Sequence, residues 1–348
     1  MSSSQPDTIG TPTWTIETGK PATTQVPRFA DADEACQWLT SIHSELRAAL
    51  HRHGSLYLRG LPIADIDDFA KVRDALVPRR TPYREKATPR SSYGNDVYSS
   101  TDLPPNQPIR MHNENSYTLT FPGLLLFSCL TAPEEGGATP VADCREVLRR
   151  IPDDLVARMR SAGWLLTRSY SEHISLDWRT AFAADTREDV EKYCADNLVS
   201  CEWDASDGLR TRQLRPGIIR HPETGEEVWF NHMAFWNSWS LDEELRQTLL
   251  DEFGSDGLPF ETALGDGAPL TREDIDTINA AYESATLRET WQPGDVLLVD
   301  NVLCTHGRDP FRGDRRIVVA MGDPVELADC RPTVAPAPAP APREDQHA

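Results

Sequence analysis

The chain has 348 residues, 39% of them hydrophobic and nine of them Trp, which is apolar material for a sizeable buried core. A formal charge of −20 repels the phosphate backbone, whose neutralisation by Lys and Arg supplies non-specific nucleic-acid affinity, so no nucleic-acid partner is expected. No run reaches the roughly 18 to 20 apolar residues of a membrane span, and the opening MSSSQPDTIGTPTW lacks the basic and apolar regions of a signal peptide. The seven cysteines are odd in number, scattered and without a Cys-x-x-Cys pair, which predicts reduced thiols, no zinc ribbon and a cytoplasmic location with no membrane partner.

Residues 1–25 are rich in Ser, Thr and Pro without apolar period and read as a flexible segment. Asp31 to His51 places Ala35, Leu39, Ile42, Leu46 and Leu50 at helical spacing, and SLYLRGL alternates as a strand does. Phe69 to Leu76 reads as a short helix. VPRRTPYREKATPRSSYGNDVYSSTDLPPNQP, full of turn formers, reads as a long loop. LLLFSCL, between Pro122 and the turn signal PEEGG, fits a buried strand. Asp143 is a candidate N-cap, and Pro152 with Asp153 opens a further helix. EEVWFNHMAFW is strand-like, LDEELRQTLLDEFG and TREDIDTINAAYESATLRETW are helical, and GDVLLVDNVLCTHG and RRIVVAMGD are two closing strands. Residues 26–328 are expected to form one domain with lid insertions, and 329–348 a disordered, solvated Pro/Ala tail. Strands carry the motifs and helices fill the insertions, without the strand–helix alternation of a parallel sheet. The sequence contains no Gly-rich phosphate loop.

In RMHNENSY, His112 and Glu114 stand two residues apart, so on an extended chain both side chains project from one face. His306, beside Gly307 in DNVLCTHGRDPF, offers a third ligand. Two imidazoles and one carboxylate on one face of an octahedral metal form the ligand set of non-haem Fe(II) oxygenases. Taken alone, the His-x-Glu pair also fits a histidine hydrogen-bonded to its neighbour. The arginines of FRGDRRIVVAM add weight, because the remote carboxylate of 2-oxoglutarate needs a planar, permanently charged fork. Arg316, entering an apolar strand, reads as that fork, and Arg315, on the opposite face, as a solvent-exposed charge.

These residues, with YSSTDLPPNQPIRMHNENSY, FSCLTAPEEGGATPVAD, WQPGDVLLVDNVLCTHGRDPF and GDRRIVVAM in order over roughly residues 55–325, resemble the TauD/TfdA family of Fe(II)/2-oxoglutarate dioxygenases. Within it, the branch that includes the syringomycin-pathway aspartyl hydroxylase is the most similar. The resemblance implies a mainly β fold with peripheral helices, a distorted double-stranded β-helix (jelly-roll) core with helical insertions. It implies iron on His112, Glu114 and His306, 2-oxoglutarate on Arg316 and Thr139, and O2 as second cosubstrate. Many members have Asp where this chain has Glu114, a variation that occurs within the family.

The implied reaction hydroxylates an amino acid or amino-acid-derived natural-product intermediate and releases succinate and CO2. Halogenases of the superfamily lack the carboxylate ligand, so Glu114 argues against halogenation; desaturation, epoxidation and ring formation use the same ligands. A zinc hydrolase or lyase on the same triad, or a non-catalytic jelly-roll binding module, leaves the arginine unexplained. Tyr98, Asn113, Asn231, Phe235 and Trp236 are candidate pocket residues, and His232 reads as structural because the triad is complete without it. The small-molecule substrate would be free or tethered to an acidic carrier protein. Arg79, Arg80, Arg84, Lys86 and Arg90, a basic cluster in an acidic chain, could steer such a carrier; the simpler reading pairs them with the protein's own carboxylates.

Overall fold

The computed structural model describes residues 12–81, 85, 90–100, 102–170, 175–205, 207–254 and 257–339. The apolar run LLLFSCL lies within the strand Thr120–Thr131 and is buried on both faces over most of its length, so it needs cover on each side. Seven strands run in the order Ala22–Gln25, Ser55–Arg59, Val296–Asp300, Thr120–Thr131, Arg316–Glu326, Val97–Ser99 and Ser92–Gly94. On one face Leu124, Leu126, Leu298, Val318 and Ala320 join a core with residues of the helices Ala32–Ser41, His43–His53 and Ile66–Leu76. On the other, Leu125, Phe127, Val299, Ile317 and Val319 pack with Val141 and Cys304. These last two belong to a four-stranded sheet ordered Thr286–Leu287, Val141–Asp143, Cys304–Arg308 and Ile109–His112. Two sheets facing each other over one apolar layer make the jelly-roll core.

A further sheet, in the order Ser200–Trp203, Leu209–Arg215, Trp164–Tyr170 and Phe260–Leu264, is built from the insertions, and the helices Arg187–Asp196, Glu243–Phe253 and Arg272–Ala285 accompany it. Among the described residues no helix is long and apolar enough to cross a membrane. All seven cysteines are free thiols, five of them buried.

Local chemistry accounts for the departures from the predicted elements. The 31–51 helix is two helices, because Ile42 leaves the helical region (φ −109°, ψ 16°). GDVLLVDNVLCTHG is two strands in different sheets, Val296–Asp300 and Cys304–Arg308. The Asp300 carboxylate accepts the N–H groups of Val302 and Leu303, both at 3.0 Å, which turns the chain from one sheet to the other. EEVWFNHMAFW is a strand only over Glu227–Trp229 and becomes a helical turn at Met233–Trp236. Parts of both expected tails are ordered. Ala22–Gln25 pairs in parallel with Ser55–Arg59, and Ala337–Pro338 pairs with Leu209–Arg215 where extended Pro-Ala backbone suits a sheet edge. The remainder of each tail, 1–11 and 340–348, lies outside the described residues.

Candidate metal and cosubstrate site

His112 ends the strand Ile109–His112 and pairs directly with His306 of Cys304–Arg308. Gly307 permits this closeness, since a Cβ there would stand 2.6 Å from the Ile109 carbonyl oxygen. Glu114 follows two residues later, in the turn, and the three side chains offer ligand atoms within 4.8 Å of one another, all buried. His112 Nδ1–H donates to the Arg110 carbonyl at 2.8 Å, which leaves Nε2 with its lone pair free. His306 Nε2 is 3.7 Å from Glu114 Oε2, and its Nδ1 is buried without a hydrogen-bond partner. Burial holds both imidazoles below the usual histidine pKa, His306 well below, so each presents a lone pair at neutral pH. Two neutral imidazoles converging on a buried carboxylate fit a divalent iron.

A second cluster shows what holds the first in place. Asn301 Oδ1 accepts Glu114 N–H at 2.7 Å, while its amide donates to the carbonyls of Glu114 (2.9 Å) and Pro122 (2.8 Å). The turn carrying Asn301 is capped by Asp300, and His221 Nε2–H donates to Asp300 Oδ2 at 3.1 Å. His221 Nδ1 accepts the N–H groups of Glu223 and Thr224, which places its proton on Nε2 and makes His221 a brace for the turn through Asp300, with the His51 ring centroid 5.3 Å from its own. Asn301 and Asp300 were not among the predicted site residues. Their signal was the pair DN at the point where an apolar strand must turn.

The arginine assignment is corrected. Arg316 is exposed, with its guanidinium 5.4 Å from the Tyr93 ring centroid. Arg315 instead enters the cavity that His112, His306 and Thr139 line. Its Nε donates to Gly137 O at 3.0 Å, Nη1 to Ser100 Oγ at 3.1 Å and Nη2 to Thr139 Oγ1 at 3.4 Å. Burial lowers its pKa to about 10, with Arg308 adding to the effect. Arg315 is in phase with Ile317 and Val319, which face the second sheet, and Arg316 with Val318, which faces the helices. Both faces of this strand are apolar, so alternation separated the two arginines without telling which face held the site. Thr139 is buried at the cavity and also accepts Trp291 Nε1–H at 3.3 Å.

The other candidates divide. Phe235 lines the cavity, its ring centroid 4.8 Å from that of His112. Tyr98 packs against the apolar layer between the sheets, and Trp236 stacks on Phe260 at 4.8 Å in the next cleft outward. Asn113 does not face the cavity: strand alternation turns it away, and its amide donates to the carbonyls of Asn301 and Cys304. Asn231 is also internal, donating to Gly217 O and accepting Met233 N–H. His232 stays outside the triad and bonds Ser116 Oγ at 2.7 Å. The basic cluster is not one patch. Arg79 lies 3.6 Å from Asp323, Arg80 pairs with Asp74 and Asp96, and Arg90 turns inward, its Nη2 2.8 Å from Glu114 Oε2. Arg84 and Lys86 lie outside the described residues.

Comparison with known proteins agrees with this geometry. The chain is 37% identical over 283 residues to the dapdiamide synthesis protein DdaC of Enterobacter agglomerans, covering 81% of this chain and 86% of that one. It is 30% identical over 287 residues to a clavaminate synthase-like protein of Arabidopsis thaliana, covering 79% and 83%. Its fold is similar to that of PvcB, an Fe, alpha-ketoglutarate dependent oxygenase from an isonitrile synthetic pathway, with a TM-score of 0.51 at 14% identity over 89% of both chains. The family described as "Taurine catabolism dioxygenase TauD, TfdA family" matches residues 21–321. The chain therefore belongs to the TauD/TfdA family and is an oxygenase that uses Fe(II), 2-oxoglutarate and O2.

Proposed function

We propose that the enzyme hydroxylates an amino acid or an amino-acid-derived natural-product intermediate, with iron held by His112, Glu114 and His306 and 2-oxoglutarate by Arg315 and Thr139. The observation that carries this reading is that the buried triad borders a cavity lined at the same time by an arginine and a threonine hydroxyl. The similarity to a dapdiamide synthesis protein supports a natural-product substrate.

Iron, with 2-oxoglutarate and O2, supplies the oxidation: one oxygen atom enters a C–H bond and the other enters succinate as CO2 leaves. The chain's own residues prepare it. His112 and His306 hold lone pairs toward one point, the first oriented by its bond to Arg110 O. Arg90 Nη2 donates to Glu114 Oε2, a charge-assisted bond that would hold the carboxylate's orientation beside the two histidines. Arg315 offers to a dianionic cosubstrate a guanidinium that, among the described residues, has no carboxylate partner of its own. Ile109, Phe127 and Phe235 supply the apolar walls that exclude water.

Aerobic conversion of 2-oxoglutarate to succinate by the iron-loaded protein, abolished by Glu114→Ala and His306→Ala, is the expected result. Succinate formation that persists in both variants overturns the assignment. A zinc hydrolase on the same triad would give Arg315 no anion to bind. Within this reading we place the enzyme in the cytoplasm, in keeping with seven free thiols. For a substrate tethered to an acidic carrier protein, the 68% exposed side chain of Arg79 is the charge that would steer it. Reversing Arg79, Arg80 and Arg84 to Glu should raise KM for a carrier-bound substrate and leave that for 2-oxoglutarate unchanged. Equal kinetics on the carrier-bound form reject docking there.

A further inference from the structure

The metal-side cavity is small, about 30 Å³, and Ile109 and Phe235 form part of its wall. The same two residues also line a cleft of about 580 Å³ that opens outward between the segment before the Ile109–His112 strand and the 235–245 segment. Among the described residues, the cleft beyond Phe235 is a large space that shares walls with the metal-side cavity and could take the remainder of a molecule whose reacting carbon lies near His112.

The cleft's chemistry selects that remainder. Its apolar walls include Trp236, Leu241, Leu245, Leu258, Pro259 and Phe260. Leu241 and Leu245 are 37% and 49% exposed, two of the four large apolar side chains exposed among the described residues. Leu245 projects from the helix Glu243–Phe253, which fully buries none of its residues. Apolar side chains left open beside a reactive centre mark a binding surface better than a packing one. Several of the polar groups along the lining are engaged within the protein. Arg110 donates to Ser240 O, Asn237 donates to Glu261 and Thr262, and Ser240 Oγ donates to Ala234 O. Asp242 caps its helix by accepting the N–H groups of Glu244 and Leu245. Arg110 and Asp242 are the lone cation and anion among the residues lining the cleft.

We infer that this cleft binds the body of the prime substrate, and that this body is a neutral, apolar acyl or aminoacyl chain rather than the charged ends of a free amino acid. A zwitterion would find one cation and one anion along the lining, the anion Asp242 already capping its helix, and would leave the apolar walls in water. A neutral chain covers those walls and hands one end past Phe235 to the metal.

This inference rests on the oxygenase reading, and its test separates the two. Binding of N-octanoyl-L-alaninamide, N-acetyl-L-alaninamide and free L-alanine is measured by anaerobic calorimetry on protein loaded with Fe(II) and 2-oxoglutarate, alongside the absorbance of the iron–2-oxoglutarate complex. The octanoyl amide should bind at least tenfold more tightly than the acetyl amide and free alanine. Leu245→Asp and Leu241→Asp, both on the exposed rim, should each remove most of that advantage while the absorbance is kept. Equal affinity for all three probes, or an octanoyl advantage unchanged in both variants, overturns the inference although the absorbance is present. Absence of the absorbance with chain-length-dependent binding retained would overturn the oxygenase reading and leave the cleft assignment standing.

Discussion

Replacing Arg315 and Arg316 one at a time tests the anion end of the site most directly, because the two are adjacent in sequence and opposite in environment. Arg315 directs Nη1 and Nη2 at Ser100 and Thr139 inside the cavity and has no carboxylate partner among the described residues, while Arg316 is exposed. A fork that pairs with the remote carboxylate of 2-oxoglutarate makes charge-assisted bonds of roughly 1.5–3 kcal/mol each, and truncating one partner of a buried charge pair costs about 2–5 kcal/mol. Taking about 3–5 kcal/mol for Arg315→Ala, and a factor of ten per about 1.4 kcal/mol, the dissociation constant for 2-oxoglutarate should rise roughly 100- to 4000-fold. Arg315→Lys keeps the charge and loses the fork, so it should fall between wild type and Arg315→Ala. Arg316→Ala should change the constant less than about twofold. Stability should move the other way. Burial has pushed the Arg315 pKa down to about 10 because its charge is costly without an anion, so removing it should not lower, and can raise, the melting temperature of the ligand-free protein. The assay is anaerobic titration of the Fe(II) protein with 2-oxoglutarate, which needs no prime substrate. A wild-type constant in Arg315→Ala, or a large loss in Arg316→Ala, refutes the reasoning.

Asn301→Ala removes both contacts to the Glu114 peptide group, and loss of such an outer support should weaken iron binding about 10- to 100-fold, read by competition with a chelator; unchanged affinity would deny Asn301 this role. His232→Gln should leave iron affinity within about twofold, because the ring lies outside the triad and bonds Ser116; a loss as large as that of His306→Ala would make it a ligand. Asn231→Ala should cost about 1–3 kcal/mol in urea unfolding, since the buried Met233 N–H loses its acceptor while Gly217 O keeps the Phe230 N–H; a full-stability variant with impaired substrate binding would return Asn231 to the pocket. Removing iron with a chelator should lower the melting temperature of wild type and leave that of Glu114→Ala unmoved, because a ligand bound only by the native state stabilises it; equal shifts in both would mean that the metal binds elsewhere.

The sequence by itself was sufficient for whatever depends on short-range spacing. His112 and Glu114 were picked out by their two-residue spacing, and they do converge, although Glu114 stands in the turn beyond the strand. Asp143 as an N-cap and the helix from Asp153 followed from local hydrogen bonding. The apolar run after Pro122, short and bounded by turn signals, fitted a buried strand, and it lies in one. What tertiary structure decided were matters of face and direction. Alternation told Arg315 from Arg316, but a strand apolar on both sides carries no mark of which side meets the metal; the second sheet made that choice by covering Ile317 and Val319. Asn113 and Asn231 looked like pocket residues by nearness in sequence, yet their amides are used by backbone groups up to 191 residues away. Arg90 stood out only as one of a run of basic residues, and its bond to Glu114, 24 residues later, is a contact that folding makes. The turn at Asp300 joins both kinds of information. Its residues are local, but what they brace is the Glu114 peptide, 187 residues earlier in the chain, and only folding brings the two together.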